Sequence, residues 1–256
     1  MGKYNSSIYR VRPLMEIVEK DRSSFLKLLS LVDIPLLGAV SRCEYDGENR
    51  SEKQLKPSKR HLSALIAYMA TKSHTDSNVK NSKRKELFFP DPDTPNRRAT
   101  VCQEALALLE ETYDTLLPDD KRWYIFEGFT HPDIFIEGDD YVIVCEGKWT
   151  EPCITTKTTH LCAEGESRNQ MIRHIQGALN AYNKKVYAFY IVENGCGYEK
   201  ELTKEHFAEQ LETETIKIPV SEKANILNSF YGYTTWQAIE KQISGVQFKR
   251  KADITL

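Results

Sequence analysis

The sequence predicts an α/β protein in which helices flank a central mixed β-sheet, preceded by a mainly helical N-terminal segment. Three observations lead to this prediction. Of the 256 residues, 40% are hydrophobic and 28% are charged, as in globular proteins with an ordinary core. Before residue 98 the apolar residues recur mainly at helical spacing. From Ala99 onward, segments with strand patterns alternate with segments with helix patterns.

The N-terminal region, residues 1–98, is basic and mainly helical in this prediction. Helical spacing runs from Pro13 to Val40, with an interruption at Pro35, and again from about Ser58 to Thr71. A polar stretch rich in turn residues follows at about 71–98, where we expect a long loop and a domain boundary. Residues 1–100 contain 19 Lys and Arg against 12 Asp and Glu, whereas the remainder contains 16 against 25. Such an asymmetry is compatible with nucleic-acid binding, although two ordinary solvated surfaces would give the same counts.

Residues 99–256 form the predicted core, with elements in the order α-β-β-β-α-β. The elements are a helix at Ala99–Leu117, a strand at Trp123–Phe126, a hairpin of Asp133–Ile136 and Tyr141–Trp149, a helix at about Arg168–Tyr182 and a strand at Val186–Val192. A turn at Glu137–Asp140 joins the two hairpin strands, and a further helix begins near Thr234. Strands and helices interleaved in this way indicate a mixed sheet with helices on both faces.

The hairpin carries the most informative side chains of the sequence. Alternate side chains of a strand share a face, so Glu146 and Lys148 point the same way. A turn centred on Asp139 and Asp140 puts Asp133 directly opposite Glu146, and a turn centred one residue earlier puts it one diagonal step away on the same face. A register slip of one residue would separate the two acids.

Two carboxylates beside a lysine are typical of a metal-dependent phosphodiester hydrolase. The carboxylates repel each other, and a divalent cation such as Mg²⁺ between them relieves that cost. Lys148 on the same face can orient a water molecule or neutralise the charge that develops on a phosphate. The competing interpretation is a solvent-facing row of ion pairs. Residues Tyr141–Cys145 are apolar on both faces, which indicates a buried strand and favours the metal site.

Pro132-Asp133, followed after twelve residues by Glu146-Gly147-Lys148, resembles the PD-(D/E)xK motif of the restriction-endonuclease-like nuclease superfamily. The likeness covers about residues 99–245 and includes the hairpin, the helix that opens Arg168-Asn-Gln170 and the apolar strand after it. The resemblance implies a restriction-endonuclease-like core with Mg²⁺ or Mn²⁺ as the cofactor.

The resemblance also implies a role for each matching residue. The implied metal ligands are the carboxylates of Asp133 and Glu146 and the carbonyl of Gly147, and Lys148 is the implied catalytic lysine. Gln170 would complete the catalytic set. Glu104 is the expected further metal ligand from the upstream helix, with Glu110, Glu111 and Glu127 as competitors.

Five basic residues are candidates for contacts with nucleic acid: Arg97, Arg98, Lys83, Arg84 and Arg168. Arg97 and Arg98 directly precede the first core helix, whereas Lys83 and Arg84 belong to a basic run of the kind that is usually only solvated. The expected partner is nucleic acid, with DNA as the first choice. A homodimer is a further expectation, because many such nucleases cut both strands as dimers.

The sequence therefore predicts a Mg²⁺-dependent endonuclease or exonuclease acting on DNA, with a restriction or defence role. The first alternative is a catalytically inactive module of the same fold that binds nucleic acid or a protein partner. The second is an enzyme acting on a small molecule, which would need a Gly-rich cofactor loop that the sequence lacks. No stretch has the roughly 20 apolar residues of a membrane span, and the N-terminal residues lack the apolar region of a secretory signal. We therefore expect a cytoplasmic protein without a membrane partner.

Overall fold

A computed structural model describes residues 6–47, 50–70, 95–117, 129–149, 155–156, 168–214 and 218–253. The helices of this part are α1 (Arg12–Val18), α2 (Arg22–Ser30), α3 (Lys59–Ala70), α4 (Pro95–Thr112), α5 (Gln170–Ala181), α6 (Lys204–Thr213), α7 (Val220–Ser229) and α8 (Trp236–Gln242). The strands are β1 (Val40–Tyr45), β2 (Ile134–Gly138), β3 (Tyr141–Gly147), β4 (Thr155–Thr156), β5 (Arg168–Asn169), β6 (Lys185–Val192) and β7 (Phe230–Thr235). A π-helical segment at Ser7–Val11 leads into α1.

Five of these strands form one mixed sheet in the order β1-β2-β3-β6-β7. Strands β1, β2 and β3 are antiparallel neighbours, whereas β6 runs parallel to β3 and β7 parallel to β6. The connection from β3 to β6 contains α5, which is the usual way to join adjacent parallel strands. The structure thus confirms an α/β fold with a mixed sheet.

Helices cover both faces of this sheet, and alternate strand residues supply the two cores. On one face, Ile143 of β3 and Phe189 of β6 pack with apolar residues of α1, α2 and α8. On the other face, Val144 of β3 and Ala188 of β6 pack with residues of α5, α6 and α7. Because β3 is buried on both faces, its sequence is apolar at nearly every position. The ionisable residues at its end therefore emerge from a core strand.

The N-terminal region differs from the mainly helical prediction, because Val40–Tyr45 forms strand β1 at the edge of the central sheet. In β1 the polar Arg42 and Glu44 alternate with Cys43 and Tyr45, and an edge strand with charged side chains lacks a clear apolar signal. Helices α1 and α2 also pack in the first core. The core predicted for residues 99–256 is therefore built in part from residues before 98.

Other differences concern helix and strand limits. Helix α4 begins at Pro95 and ends at Thr112, so its start lies four residues and its end five residues earlier than predicted. Strand β7 and helices α6 and α7 were not predicted, whereas α3, α5 and β6 lie close to their predicted places. Most of the predicted loop and the predicted strand at Trp123–Phe126 lie outside the described residues. None of the helices within the described ranges has the length and apolar character needed to cross a membrane.

Candidate active site

The register of the β2–β3 hairpin decides where Asp133 lies. Ile134 pairs with Cys145, and Glu137 pairs with Val142. The same register, continued by one residue, sets Asp133 opposite Glu146, and the turn is centred on Asp139 and Asp140. This is the first of the two registers considered from the sequence.

Asp133, Glu146 and Lys148 lie on the α5 side of the sheet. Phe135 and Val144 face the core that contains α5, and alternation along the strands puts Asp133 and Glu146 on that same side. The exposed fractions are 9% for Asp133, 4% for Glu146 and 9% for Lys148. The site is therefore a buried cluster at the end of β3 and not a solvent-facing row of ion pairs.

Glu146 is held by two donors, one at each carboxylate oxygen. The Lys148 Nζ lies 2.9 Å from Oε1, and the Nε2 of His174 on α5 lies 3.0 Å from Oε2. Burial alone would raise the pKa of Glu146, but the charge of Lys148 and the hydrogen bonds from His174 and Lys148 lower it to about 2. Glu146 is therefore ionised at neutral pH.

Lys148 links the strand to the first residue of α5. Its Nζ donates to the Oε1 of Gln170 over 2.8 Å, in addition to the bond to Glu146. Its backbone N–H donates to the Ile191 carbonyl at 2.8 Å, and its carbonyl accepts from the Trp236 indole N–H at 2.9 Å. The main chain at Lys148 is thus fixed from both sides, and its side chain has two oriented partners.

Asp133 has a different environment, dominated by other acids. Its Oδ2 accepts from the Gly147 N–H at 2.8 Å, and its Oδ1 accepts from the Ser7 hydroxyl at 3.3 Å. The Glu52 carboxyl group lies within hydrogen-bonding reach of both Asp133 and Ser7. Burial and the carboxylates of Glu146 and Glu52 raise the pKa of Asp133 well above its usual range. Burial and the negative charge of Glu146 likewise raise the pKa of Glu52 to about 7.

Helix α5 is placed at the site by its N-terminal cap. The Asn169 Oδ1 accepts from the backbone N–H groups of Met171 and Ile172 at 2.8 and 3.2 Å, and from the Tyr190 hydroxyl at 3.1 Å. The cap therefore ties the helix start to β6, and the next residue, Gln170, reaches Lys148.

The donor set fits a hard divalent cation. Carboxylate and carbonyl oxygens are the ligands that Mg²⁺ and Mn²⁺ prefer, and a cation would remove the repulsion that raises the pKa of Asp133 and Glu52. Across the described ranges, no group of three or more His, Cys, Asp or Glu side chains has the arrangement of a metal cage. A Mg²⁺ site does not require one, because it uses one or two carboxylates and keeps several waters.

The structure brings some of the predicted site residues together and leaves others apart. Asp133, Glu146, Gly147, Lys148 and Gln170 form one connected group. Glu104 is exposed on α4, a helix that packs against α3, and none of the described contacts joins it to that group.

The structure does not describe the side chains of the residues that were predicted to contact nucleic acid. Arg97 and Arg98 belong to the first turn of α4, and Arg168 belongs to β5. Lys83 and Arg84 lie outside the described residues. Their predicted contacts with nucleic acid stay predictions.

Sequence reasoning did not assign a role to Glu52, Ser7 or His174, which lie against Asp133 or Glu146, or to Thr130, which bonds His174. The sequence contains a weak indication that His174 lies near the site, because it is a polar residue four positions after Gln170 and so shares one side of the helix with it. The sequence contains no such indication for Glu52, which lies in a polar stretch far from the hairpin. Comparison of the chain with family models, with curated proteins and with solved structures gives no match.

Proposed function

We propose that this chain is a metal-dependent nuclease that hydrolyses phosphodiester bonds, with DNA as the expected substrate and Mg²⁺ or Mn²⁺ as the cofactor. The observation that supports this most strongly is the buried, connected group of Asp133, Glu146, Lys148 and Gln170 at the end of β3. Two acids and a lysine with fixed partners are the groups that phosphodiester hydrolysis needs.

The order of elements supports a restriction-endonuclease-like core. The chain passes from α1 and α2 to the antiparallel strands β1, β2 and β3, then to α5 and the parallel strand β6. With α3 and α4 between β1 and β2 set aside, this is the order α-β-β-β-α-β that the sequence patterns predict. Its first helix and strand come from residues 12–45 instead of residues 99–126, so the segment between β1 and β2 is an insertion in this interpretation.

Each residue of the group has a distinct part in the proposed reaction. Asp133 and Glu146, with the Gly147 carbonyl, would hold the metal ion, which when bound supplies Lewis-acid activation of water and phosphate. Lys148 directs its ammonium group into the site and can stabilise negative charge on the phosphate. Gln170 keeps that ammonium group in place through its side-chain carbonyl.

A cleavage assay on plasmid DNA, with Mg²⁺, with Mn²⁺ and with a chelator, tests the proposal. Lys148→Ala should bind Mn²⁺ in a calorimetric titration but lose roughly 100-fold or more in turnover, as for the loss of one electrostatic stabiliser. Glu146→Ala should lose both metal binding and cleavage. Lys185→Ala is the matched control, because Lys185 is exposed at the opposite end of the same sheet, beside Tyr141.

Two results would contradict the proposal. Equal turnover of the wild type and Lys148→Ala would remove Lys148 from the reaction. A wild-type protein that binds DNA but cuts it with neither metal would favour the catalytically inactive binding module.

A further inference from the structure

His174 is a fully buried histidine with a fixed partner at each ring nitrogen. It is 0% exposed on α5, with Nε2 lying 3.0 Å from the Glu146 Oε2 and Nδ1 lying 2.7 Å from the Thr130 Oγ1. An ionised carboxylate can only accept, so Nε2 must carry a hydrogen. In the neutral ring Nδ1 then accepts from the Thr130 hydroxyl, and these two bonds define one tautomer.

The Thr130 hydroxyl is itself held by backbone structure. Thr130 and Leu55 exchange two backbone hydrogen bonds of 2.9 Å each, which form an isolated bridge between distant parts of the chain. Gly177, nearly one turn after His174 on α5, lies against this bridge. A Cβ at Gly177 would lie 2.8 Å from the Leu55 Cβ and 3.3 Å from the Thr130 Cγ2. The helix therefore lies so close to the bridge that the distance from His174 to Thr130 has little freedom.

The hydrogen bond from His174 helps to fix the orientation of the Glu146 carboxylate. A carboxylate offers about four acceptor positions, two at each oxygen. Lys148 uses one at Oε1 and His174 uses one at Oε2, so the plane of the group is fixed from two sides. Within the described part of the chain, these contacts leave one position at each oxygen for another ligand.

We propose that His174, oriented by Thr130, is a positioning residue that fixes the Glu146 carboxylate in the orientation needed to bind the metal ion. The inference rests on the proposed function and deepens it. Side chains that orient metal ligands typically contribute 10–100-fold to metal affinity or activity. A histidine that only filled space would contribute to stability and not to metal affinity.

Four variants test the inference: His174→Ala, Thr130→Val, Thr130→Ser and, as the matched control, His206→Ala. His206 is partly exposed on α6, where its ring pairs with Glu209. Thr130→Val keeps the shape of the side chain and removes only the hydroxyl, so it remains informative should His174→Ala fold poorly. The measurements are Mn²⁺ affinity by calorimetry, kcat and KM for plasmid DNA, and the ¹⁵N NMR signals of the His174 ring without metal.

The expected results separate positioning from packing. His174→Ala should weaken Mn²⁺ binding roughly 10–100-fold and lower kcat, with KM for DNA little changed. Thr130→Val should shift in the same direction, and Thr130→Ser should behave as the wild type. The NMR signals should show the tautomer with hydrogen on Nε2.

Several outcomes would overturn the inference. A wild-type protein that binds Mn²⁺, combined with unchanged affinity in His174→Ala and Thr130→Val, rejects the role of His174 and leaves the proposed function intact. A ring with hydrogen on Nδ1 rejects it as well. A wild-type protein that binds no Mn²⁺ rejects the inference and the metal-dependent function together.

Discussion

Replacing Gly147 by Ala should destabilise the protein because the space beside Gly147 is filled. A Cβ at this position would lie 2.9 Å from the Cζ2 of Trp236, 3.2 Å from its Cη2 and 3.2 Å from the Cγ2 of Val11. Trp236 and Val11 are 1% and 0% exposed, so neither can move into solvent. Inserting a methyl group into such a site typically costs about 1–3 kcal/mol.

The matched control is Gly38→Ala. No heavy atom lies within 4 Å of a Cβ at Gly38, and neither Gly38 nor Gly147 has a positive φ. Both substitutions reduce the freedom of the unfolded chain by the same amount, so the difference between them isolates the packing cost. Gly38→Ala should leave the free energy of unfolding unchanged or raise it by about 0.4–1 kcal/mol.

Urea unfolding followed by circular dichroism gives both free energies of unfolding. A double-mutant cycle with Trp236→Phe then identifies the cause, because Cζ2 and Cη2 belong to the part of the indole that phenylalanine lacks. Gly147→Ala should cost less in the Trp236→Phe background than in the wild type. If Gly147→Ala is as stable as Gly38→Ala, or if its cost is the same in both backgrounds, the steric argument is wrong.

Three further predictions concern the acids, the core and the basic residues. Burial and Glu146 raise the pKa of Glu52 to about 7, so ionised Glu52 disfavours folding. In thermal unfolding with a chelator present, the stability of the wild type relative to Glu52→Gln should therefore rise as the pH falls from 8.5 to 5.5. An unchanged pH dependence in Glu52→Gln would contradict that assignment. Phe135→Ala should lower the free energy of unfolding by about 3–5 kcal/mol in urea titrations, because Phe135 is 0% exposed in the α5 core, and a loss under 1 kcal/mol would be inconsistent with that burial. Replacing Arg97 and Arg98 by Ala should reduce the salt slope of DNA binding by about 0.9 for each phosphate that is no longer neutralised, and an unchanged slope would show that they are only solvated.

Local patterns in the sequence were sufficient to predict the hairpin and the strand face that carries Glu146 and Lys148. The apolar run of β3 and the acidic turn at Asp139 and Asp140 define two strands and the connection between them. Since side-chain direction alternates, the relation between Glu146 and Lys148 follows from their spacing alone. The helix after them was also predictable, because Asn169 is a strong N-cap and apolar residues follow at helical spacing.

The rest of the site depends on contacts between distant parts of the chain. Glu52 reaches Asp133 through a segment that the Leu55–Thr130 bridge holds in place, and no local pattern predicts that bridge. Strand β1 was missed for a related reason, since its charged face is stabilised by partners such as Glu137 on the neighbouring strand. Secondary-structure propensity and hydrophobic periodicity describe residues that are neighbours in sequence. The positions of Glu52 and β1 depend instead on contacts between distant parts of the chain.

The burial of Asp133, Glu146 and Lys148 raises the question of what this cluster contributes to the protein. An exposed ion pair contributes about 0–1 kcal/mol, and a buried pair replaced by well-packed apolar residues often leaves stability unchanged or raises it. Stability therefore gives little reason to place Glu146 and Lys148 at the end of a core strand with 4% and 9% of their surface exposed. Removing one partner of a buried ion pair leaves the other charge unpaired, which lowers stability. The fold must therefore provide a partner for each charged group. Here Ser7 bonds Asp133, while Gln170 and His174 of α5 bond Lys148 and Glu146. Thr130, from a third segment, in turn bonds His174. The proposed reaction gives a reason for this set of polar contacts that stability does not give. Loss of turnover without loss of folding is therefore the decisive result to seek for Lys148→Ala.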